Sequence, residues 1–531
     1  MTSVFQRASL LDKVKSTPLW DVIVIGGGAS GLGIALDAAS RGFTTLLLEQ
    51  SDMAKGTSSR STKLVHGGVR YLANGDLKLV YDALQERGIL KHNAAHLVKR
   101  QSFIIPCYSF FSKFKYYFGL KFYDLLSGSY SLGTSEALSR DEVTALFPGI
   151  NNQGLVGGVE YYDARFDDSR LAVNLAQTCV KEGGVVLNYF KVTGLIKNDG
   201  KVQGVKARDI ETGIEYTLQA KVVVNATGVF VDQILRMDVP DKKPMVKPSQ
   251  GIHIVIRSSF LNSDCALMIP ETPDGRVLFA IPWHEHILVG TTDTPIDEYS
   301  MEPLALDKEI KFILDTIKNY LKDPPKEKDI LSVFAGLRPL AAPQDDSVKT
   351  KEISRSHKLL VSDSGLVTIT GGKWTTYRKM AEETLEKIIG LGKLPKVACN
   401  TRDLKINGFT NVISKSHLAV YGSDEENICE LVRENPFLGK KLISTFSYIE
   451  AEVIWAVRNE MARTVEDILA RRLRILFLDA HAAIQAAPRV AELMQMELNY
   501  DEDWKSDQLI QFNKVAANYL CKPVNIMIPQ N

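Results

Sequence analysis

The chain has 531 residues, more than one compact core usually holds, so two or three domains are expected. Its 45% hydrophobic content is that of an ordinary globular protein, and a formal net charge of +1 argues against a nucleic acid partner selected by overall charge. The six cysteines (107, 179, 265, 399, 429 and 521) are scattered, with no Cys-x-x-Cys pair and no Cys/His cluster, which argues against a disulfide framework, a zinc site or an iron–sulfur site; no metal is expected.

Met1 to Trp20 carries Arg7, Asp12, Lys13 and Lys15 between short apolar pieces and lacks the apolar core of a secretory signal. No run of about 18 apolar residues follows, so a spanning helix is not expected and a cytoplasmic location is the default. The first clear element is the apolar run Asp21 to Ile25, read as a buried parallel strand. A turn with Gly26, Gly28 and Gly31 follows, then Ile34 to Ser40 at helical spacing, then the strand Thr44 to Glu49. This is a βαβ unit with an acid about 20 residues beyond its glycines, the dinucleotide-binding fingerprint. Gly26 allows the tight turn, Gly28 lets backbone approach a pyrophosphate, and Gly31 lets helix and strand pack closely. The helix N-terminus offers N–H groups to phosphate, and Glu49 suits a ribose hydroxyl.

Tyr108 to Leu126 is crowded with aromatic residues and interleaved with Lys113, Lys115 and Lys121. Such a stretch suits a membrane interface, with rings among headgroups and lysines on anionic lipid. A core helix with an aromatic face is the plainer alternative. Asp167 to Glu182 reads as an amphipathic helix, followed by the strands Val185 to Tyr189 and Lys221 to Gly228. Strands at 251–256, 276–282 and 287–293 suggest an inserted antiparallel sheet. Gly365 to Thr376 is a strand and a glycine turn, leading into a helix from about Trp374 to Gly390. From about residue 400 the pattern is helical, with Thr464 and Asp467 spaced as a capping box.

Several residues invite chemistry. His253 sits in an apolar strand, where a histidine is a general base or a hydrogen-bonded structural residue. His66, before Gly67 and Gly68, is the other candidate. Arg338 lies in the apolar Gly-Leu-Arg-Pro-Leu and needs an anion, either a side chain or a ligand. Lys373 opens a helix, where the dipole disfavours a cation.

Taken together, Thr57 to Tyr71, Tyr162 to Asp168, Asn225 to Gly228, Gly251 to His253, Pro282-Trp283, Gly290 to Asp293, Gly336 to Leu340, Gly371 to Arg378 and Arg458 to Leu469 resemble the FAD-dependent glycerol-3-phosphate dehydrogenases over nearly the whole chain. The resemblance implies an α/β fold: a Rossmann-like FAD-binding domain, an inserted antiparallel-sheet substrate domain and a C-terminal helical domain. The segments 18–75, 155–235 and 340–392 are assigned to the first, 76–154 and 236–339 to the second, and 393–531 to the third. It implies Gly26, Gly28, Gly31, Glu49, Thr57, Ser58, Ser59, Gly67, Val192, Gly228, Gly372, Lys373 and Thr375 around FAD. It implies Arg70, Tyr71, Arg338 and Lys373 around the substrate phosphate, with His253, His66 and Arg338 as catalytic candidates. The implied reaction oxidises sn-glycerol 3-phosphate to dihydroxyacetone phosphate and passes electrons to a membrane quinone. The enzyme would then lie peripherally on the cytoplasmic membrane through 108–126, and a homodimer is admitted. A related flavin oxidase using oxygen or an amino acid, and a non-catalytic flavin-binding scaffold at a membrane surface, are the alternatives.

Overall fold

The computed structural model describes residues 5–73, 75–272, 275–297, 299–341 and 357–522. Its first sheet runs in the order Lys358–Val361, Val367–Thr370, Glu215–Asn225, Trp20–Ile25, Thr45–Leu48, Val185–Leu187. Trp20–Ile25 pairs in parallel with strands on both sides, Ile25 lying level with Asn225 and with Leu48. Burial on both faces explains its unbroken apolar run. Phe190–Asn198 and Lys201–Asp209 extend the sheet as an antiparallel meander on Glu215–Asn225. Helix Ala29–Ser40 packs against Asp168–Lys181 and Tyr377–Gly390.

Two glycines in the first turn are dictated by close approach. Gly26 has φ +110°, and a Cβ there would lie 2.7 Å from the Ala226 carbonyl oxygen. A Cβ on Gly31 would lie 1.9 Å from the Gly26 carbonyl oxygen, so no other residue fits without moving helix from strand. One charged residue inside the helix is neutralised locally: buried Asp37 holds Arg41 at 2.8 Å, one turn on.

The second sheet is built on Val246–Arg257, which pairs antiparallel with Ser332–Ala341 and with His286–Gly290. Leu278–Trp283 and Ala266–Ile269 continue it, the latter running parallel to Lys99–Cys107. Gly157–Arg165 then pairs along its whole length with Lys99–Cys107, and Leu64–Val65 forms an edge. Leu64–Val65 and Gly157–Arg165 fall in the stretches assigned from sequence to the nucleotide-binding domain (18–75 and 155–235). The structure puts them in the second sheet instead, because their backbone partners are there. The strand expected at 287–293 ends at Gly290, as Thr291 to Asp293 turn inward against Arg338. The helix expected from Trp374 opens with the 3₁₀ turn Trp374–Thr376 and becomes α-helical at Tyr377.

Helices from His417 onward build a core around Ile468, Leu476, Ala483, Val490 and Met494, which Val255, Leu288 and Phe334 of the second sheet join. Thr464 and Asp467 make the reciprocal bonds of a capping box: the Asp467 N–H donates to Thr464 Oγ1 and the Thr464 N–H to the Asp467 carboxylate. That box opens a π-helical turn, Asp467–Arg472. The turn sends Arg471 and Arg472 into the nucleotide-binding domain, where both meet buried Asp52, at 2.6 and 2.7 Å. Arg474, at φ +67°, reaches Asp168 at 3.1 Å, and Arg170 pairs with Glu460. Domain docking therefore combines buried, mutually neutralised charge with apolar contacts such as Phe477 on Phe334.

Candidate active site

A cavity of about 450 Å³ lies between the two sheets, within the size range of small-molecule sites. At one end, Gly26, Gly28 and Ala29 line it with the N-terminus of helix Ala29–Ser40. Gly28 caps that helix without a side chain, and a Cβ there would crowd Ser58 Oγ at 3.1 Å. Ser58 Oγ accepts from the Ala29 N–H at 2.9 Å, and the Ser58 carbonyl accepts from Trp374 Nε1 at 2.8 Å. Glu49 accepts from the N–H groups of Gly27 (2.6 Å) and Ser51 (2.8 Å) and faces the cavity. Burial pushes its pKa upward. A side-chain-free turn, a helix N-terminus and a carboxylate at the end of the adjacent strand fit the pyrophosphate and ribose of a dinucleotide.

Thr57, Val192, Gly228, Gly372 and Thr375 also line the cavity. Gly31, Ser59 and Gly67 do not. Gly31 serves the helix contact, the Ser59 carbonyl accepts from Lys63 Nζ and Arg474, and the Gly67 N–H donates to Tyr123 Oη.

The other wall carries the polar groups. Arg338 donates to the Thr292 carbonyl (2.9 Å) and Thr291 Oγ1 (3.1 Å), and lies 3.4 Å from the Asp293 carboxylate. Its side-chain anion is therefore Asp293, which Ser249 also contacts. Gly251 leaves it room, since a Cβ there would lie 2.2 Å from the guanidinium. Lys373 Nζ sits 3.8 Å over the Tyr71 ring, and Tyr71 packs on Gly68. The Arg70 side chain lies outside the described residues.

His253 is 2% exposed, level with Gly290 on one neighbouring strand and Phe334 on the other. Its ring stacks on Phe334 with centroids 5.0 Å apart, and a Cβ on Gly290 would strike it. Burial, with help from Lys63 and Arg338, holds its pKa well below the usual histidine value, so the ring is neutral. His66 shares the cavity wall; its backbone meets Thr375 Oγ1 and its ring meets the edge of Phe279. The structure thus brings His253, His66, Tyr71, Arg338 and Lys373 to one cavity.

Sequence reasoning assigned no role to Thr62, Lys63, Asp168 or Arg276. Thr62 and Arg276 line the cavity, and Lys63 and Asp168 lie directly behind it. Thr62 and Lys63 stood inside a quoted motif without a local signal of their own. Arg276 stood at a hairpin whose geometry sequence does not reveal.

Comparison with known proteins agrees with this geometry. Residues 21–378 match the family described as FAD dependent oxidoreductase, and residues 364–505 match the C-terminal domain of alpha-glycerophosphate oxidase. The chain is 38% identical to mitochondrial glycerol-3-phosphate dehydrogenase of Rattus norvegicus, over 95% of this chain and 74% of that protein. It is 40% identical to the mitochondrial enzyme of Arabidopsis thaliana, over 95% and 87% respectively. The glycerol-3-phosphate dehydrogenase of Bacillus halodurans, solved in complex with FAD, superposes with a TM-score of 0.80 at 29% identity, covering 99% of both chains. An FAD-bound L-alpha-glycerophosphate oxidase from Mycoplasma pneumoniae shares the fold, with a TM-score of 0.56 at 17% identity over 73% of this chain and 98% of that one. With a dinucleotide cradle and matches running through nearly its whole length, the chain belongs to the FAD-dependent glycerol-3-phosphate dehydrogenase family.

Proposed function

We propose that this chain oxidises sn-glycerol 3-phosphate to dihydroxyacetone phosphate. The observation that carries this reading is a single cavity holding the dinucleotide cradle, a neutral buried histidine and the cations Arg338 and Lys373. When bound, FAD supplies the acceptor for the hydride leaving C2. The protein supplies the rest. Arg338 and Lys373 bind and orient the phosphate, and Tyr71 supports the Lys373 ammonium from below. His253 takes the proton from the C2 hydroxyl, and His66 is the second candidate for that task. A carboxylate substrate would need one clamp rather than several cations, which favours a phosphate ester.

The test is the visible spectrum of the FAD-loaded protein before and after anaerobic addition of sn-glycerol 3-phosphate. Bleaching by this compound, but not by glycerol or amino acids, is the expected result. A flavin that stays oxidised would remove the substrate assignment.

In this reading the electrons pass to a membrane quinone, with the enzyme held peripherally on the cytoplasmic membrane. Helix Phe110–Ser127 supports it. Phe110 (78% exposed), Phe111 (79%), Phe114 (62%) and Leu125 (74%) face outward beside Lys113 and Lys115. No described helix is long and apolar enough to cross a membrane, and the exposed rings and lysines of this helix suit an interfacial attachment. Burying one ring in lipid is worth ~1.5–3 kcal/mol. The triple change Phe110→Ser, Phe111→Ser, Phe114→Ser is therefore expected to weaken binding to phosphatidylglycerol-containing vesicles by at least ~100-fold. Flavin bleaching should survive it. Unchanged sedimentation with vesicles would refute this attachment.

A further inference from the structure

Thr62 stands at the one polar contact His253 makes among the described residues. Thr62 Oγ1 lies 3.0 Å from His253 Nε2, while Nδ1 is buried without a hydrogen-bond partner among those residues. The hydroxyl is aimed by its neighbours in sequence. Ser61 donates its backbone N–H (3.2 Å) and its hydroxyl (2.7 Å) to Asp168 Oδ2, and Lys63 Nζ donates to the same oxygen at 2.6 Å. One carboxylate thus grips the residues on both sides of Thr62. Arg474, from the C-terminal domain, holds the second oxygen of that carboxylate at 3.1 Å. The grip is tight enough to keep Lys63 at φ +61°, a conformation that a long side chain rarely adopts.

We propose that Thr62 is a positioning residue for His253, accepting the Nε2–H and so fixing the orientation of the ring and the tautomer in which Nδ1 carries no proton. A neutral imidazole has one proton to place. A buried N–H without an acceptor is rarer and costlier than a lone pair without a donor. The proton therefore belongs on Nε2, facing Thr62, and the nitrogen without a partner is left basic. The same ring is pressed on Phe334 and walled by Gly290, so it cannot turn to exchange its nitrogens. Charged groups near it are Lys63, which lies 5.3 Å from the centre of the Phe334 ring, and Arg338 with its partner Asp293. Both cations oppose a second proton on the ring.

This inference rests on His253 being the proton acceptor, and the experiment separates the two. Full-length FAD-loaded wild type, Thr62→Val and Thr62→Ser are compared. Stopped-flow bleaching by sn-glycerol 3-phosphate gives a limiting rate and an apparent Kd for each. Histidine ¹⁵N spectra give the tautomer of His253, assigned with a His253→Gln control. Thr62→Val should lower the limiting rate at least about tenfold with an apparent Kd changed less than about threefold, and should populate the Nδ1–H tautomer. Thr62→Ser, which keeps the hydroxyl, should restore both. A wild-type rate in Thr62→Val, an unaltered tautomer, or a Thr62→Ser variant as slow as Thr62→Val would overturn the proposal. If wild type itself is not bleached, the substrate reading falls, and the ¹⁵N spectra still decide the role of Thr62.

Discussion

Replacing His253 with glutamine is expected to slow flavin reduction by sn-glycerol 3-phosphate by ~10²- to ~10⁴-fold, the usual cost of losing a positioned general base. The substitution suits the site: glutamine fills similar space beside Phe334 and Gly290 and can still meet Thr62 Oγ1. Phosphate contacts stay in place, so the apparent Kd should change little. The pH profile sharpens the test. Burial first, then Lys63 and Arg338, lowers the His253 pKa, so the neutral form persists below the ordinary value of 6.5. The wild-type limiting rate should therefore stay level as pH falls through 6.5 and decline only at more acid pH. In His253→Gln that decline should vanish along with most of the rate. A variant reduced as fast as wild type would move the role to His66.

The second large effect concerns stability. Asp168 is fully buried and faces two cations, Lys63 at 2.6 Å and Arg474 at 3.1 Å. Asp168→Asn keeps the shape and removes the anion, leaving Lys63 without its paired carboxylate and Arg474 with Asp167 at 3.8 Å. Breaking such a pair costs ~3–5 kcal/mol, measurable as a shift of the urea midpoint at unchanged slope. A loss under ~1 kcal/mol would show that the cluster is not holding the domains together. The deficit should depend on pH. Lys63 already has its pKa lowered to about 7 by burial, with Asp168 opposing the shift and Arg474 adding to it. Without Asp168 it falls further. A lysine whose folded pKa lies below its unfolded value of 10.5 loses its proton on folding, so stability rises with pH across that interval. The wild type shares that rise above about 7, where its own Lys63 is also neutral, so the variant's deficit should shrink as pH rises towards about 7 and stay level above it.

Local spacing made one half of the site readable. Gly26, Gly28, Gly31 and Glu49 announce their roles because each is needed within a single strand–turn–helix–strand unit. Glycines within the second sheet were also a signal, though an indirect one: Gly251 and Gly290 exist to leave room for Arg338 and His253. The domain boundaries were not readable, because Gly157–Arg165 follows the nucleotide-binding fingerprint in sequence yet finds its hydrogen bonds on Lys99–Cys107. Nor was the support beneath the site. Lys63, Asp168 and Arg474 look like ordinary surface charges in isolation; only the fold shows that each is buried and that they neutralise one another. Thr62 carries no pattern at all, since its role comes from a strand 191 residues away.

The pairing of Asp52 with Arg472, 420 residues downstream, has a consequence for how the protein is made. Ribosomes add about 5–20 residues per second, so the loop that cradles the cofactor waits roughly 20–80 s for its counter-charges to be synthesised. Until Arg474 has emerged, Asp52, Lys63 and Asp168 are better hydrated than buried, and the first domain has every reason to stay open. Completion of the site is thus tied to the translation of residues 471–474. A message broken before that stretch would yield a chain that cannot close around its cofactor, rather than a smaller working enzyme.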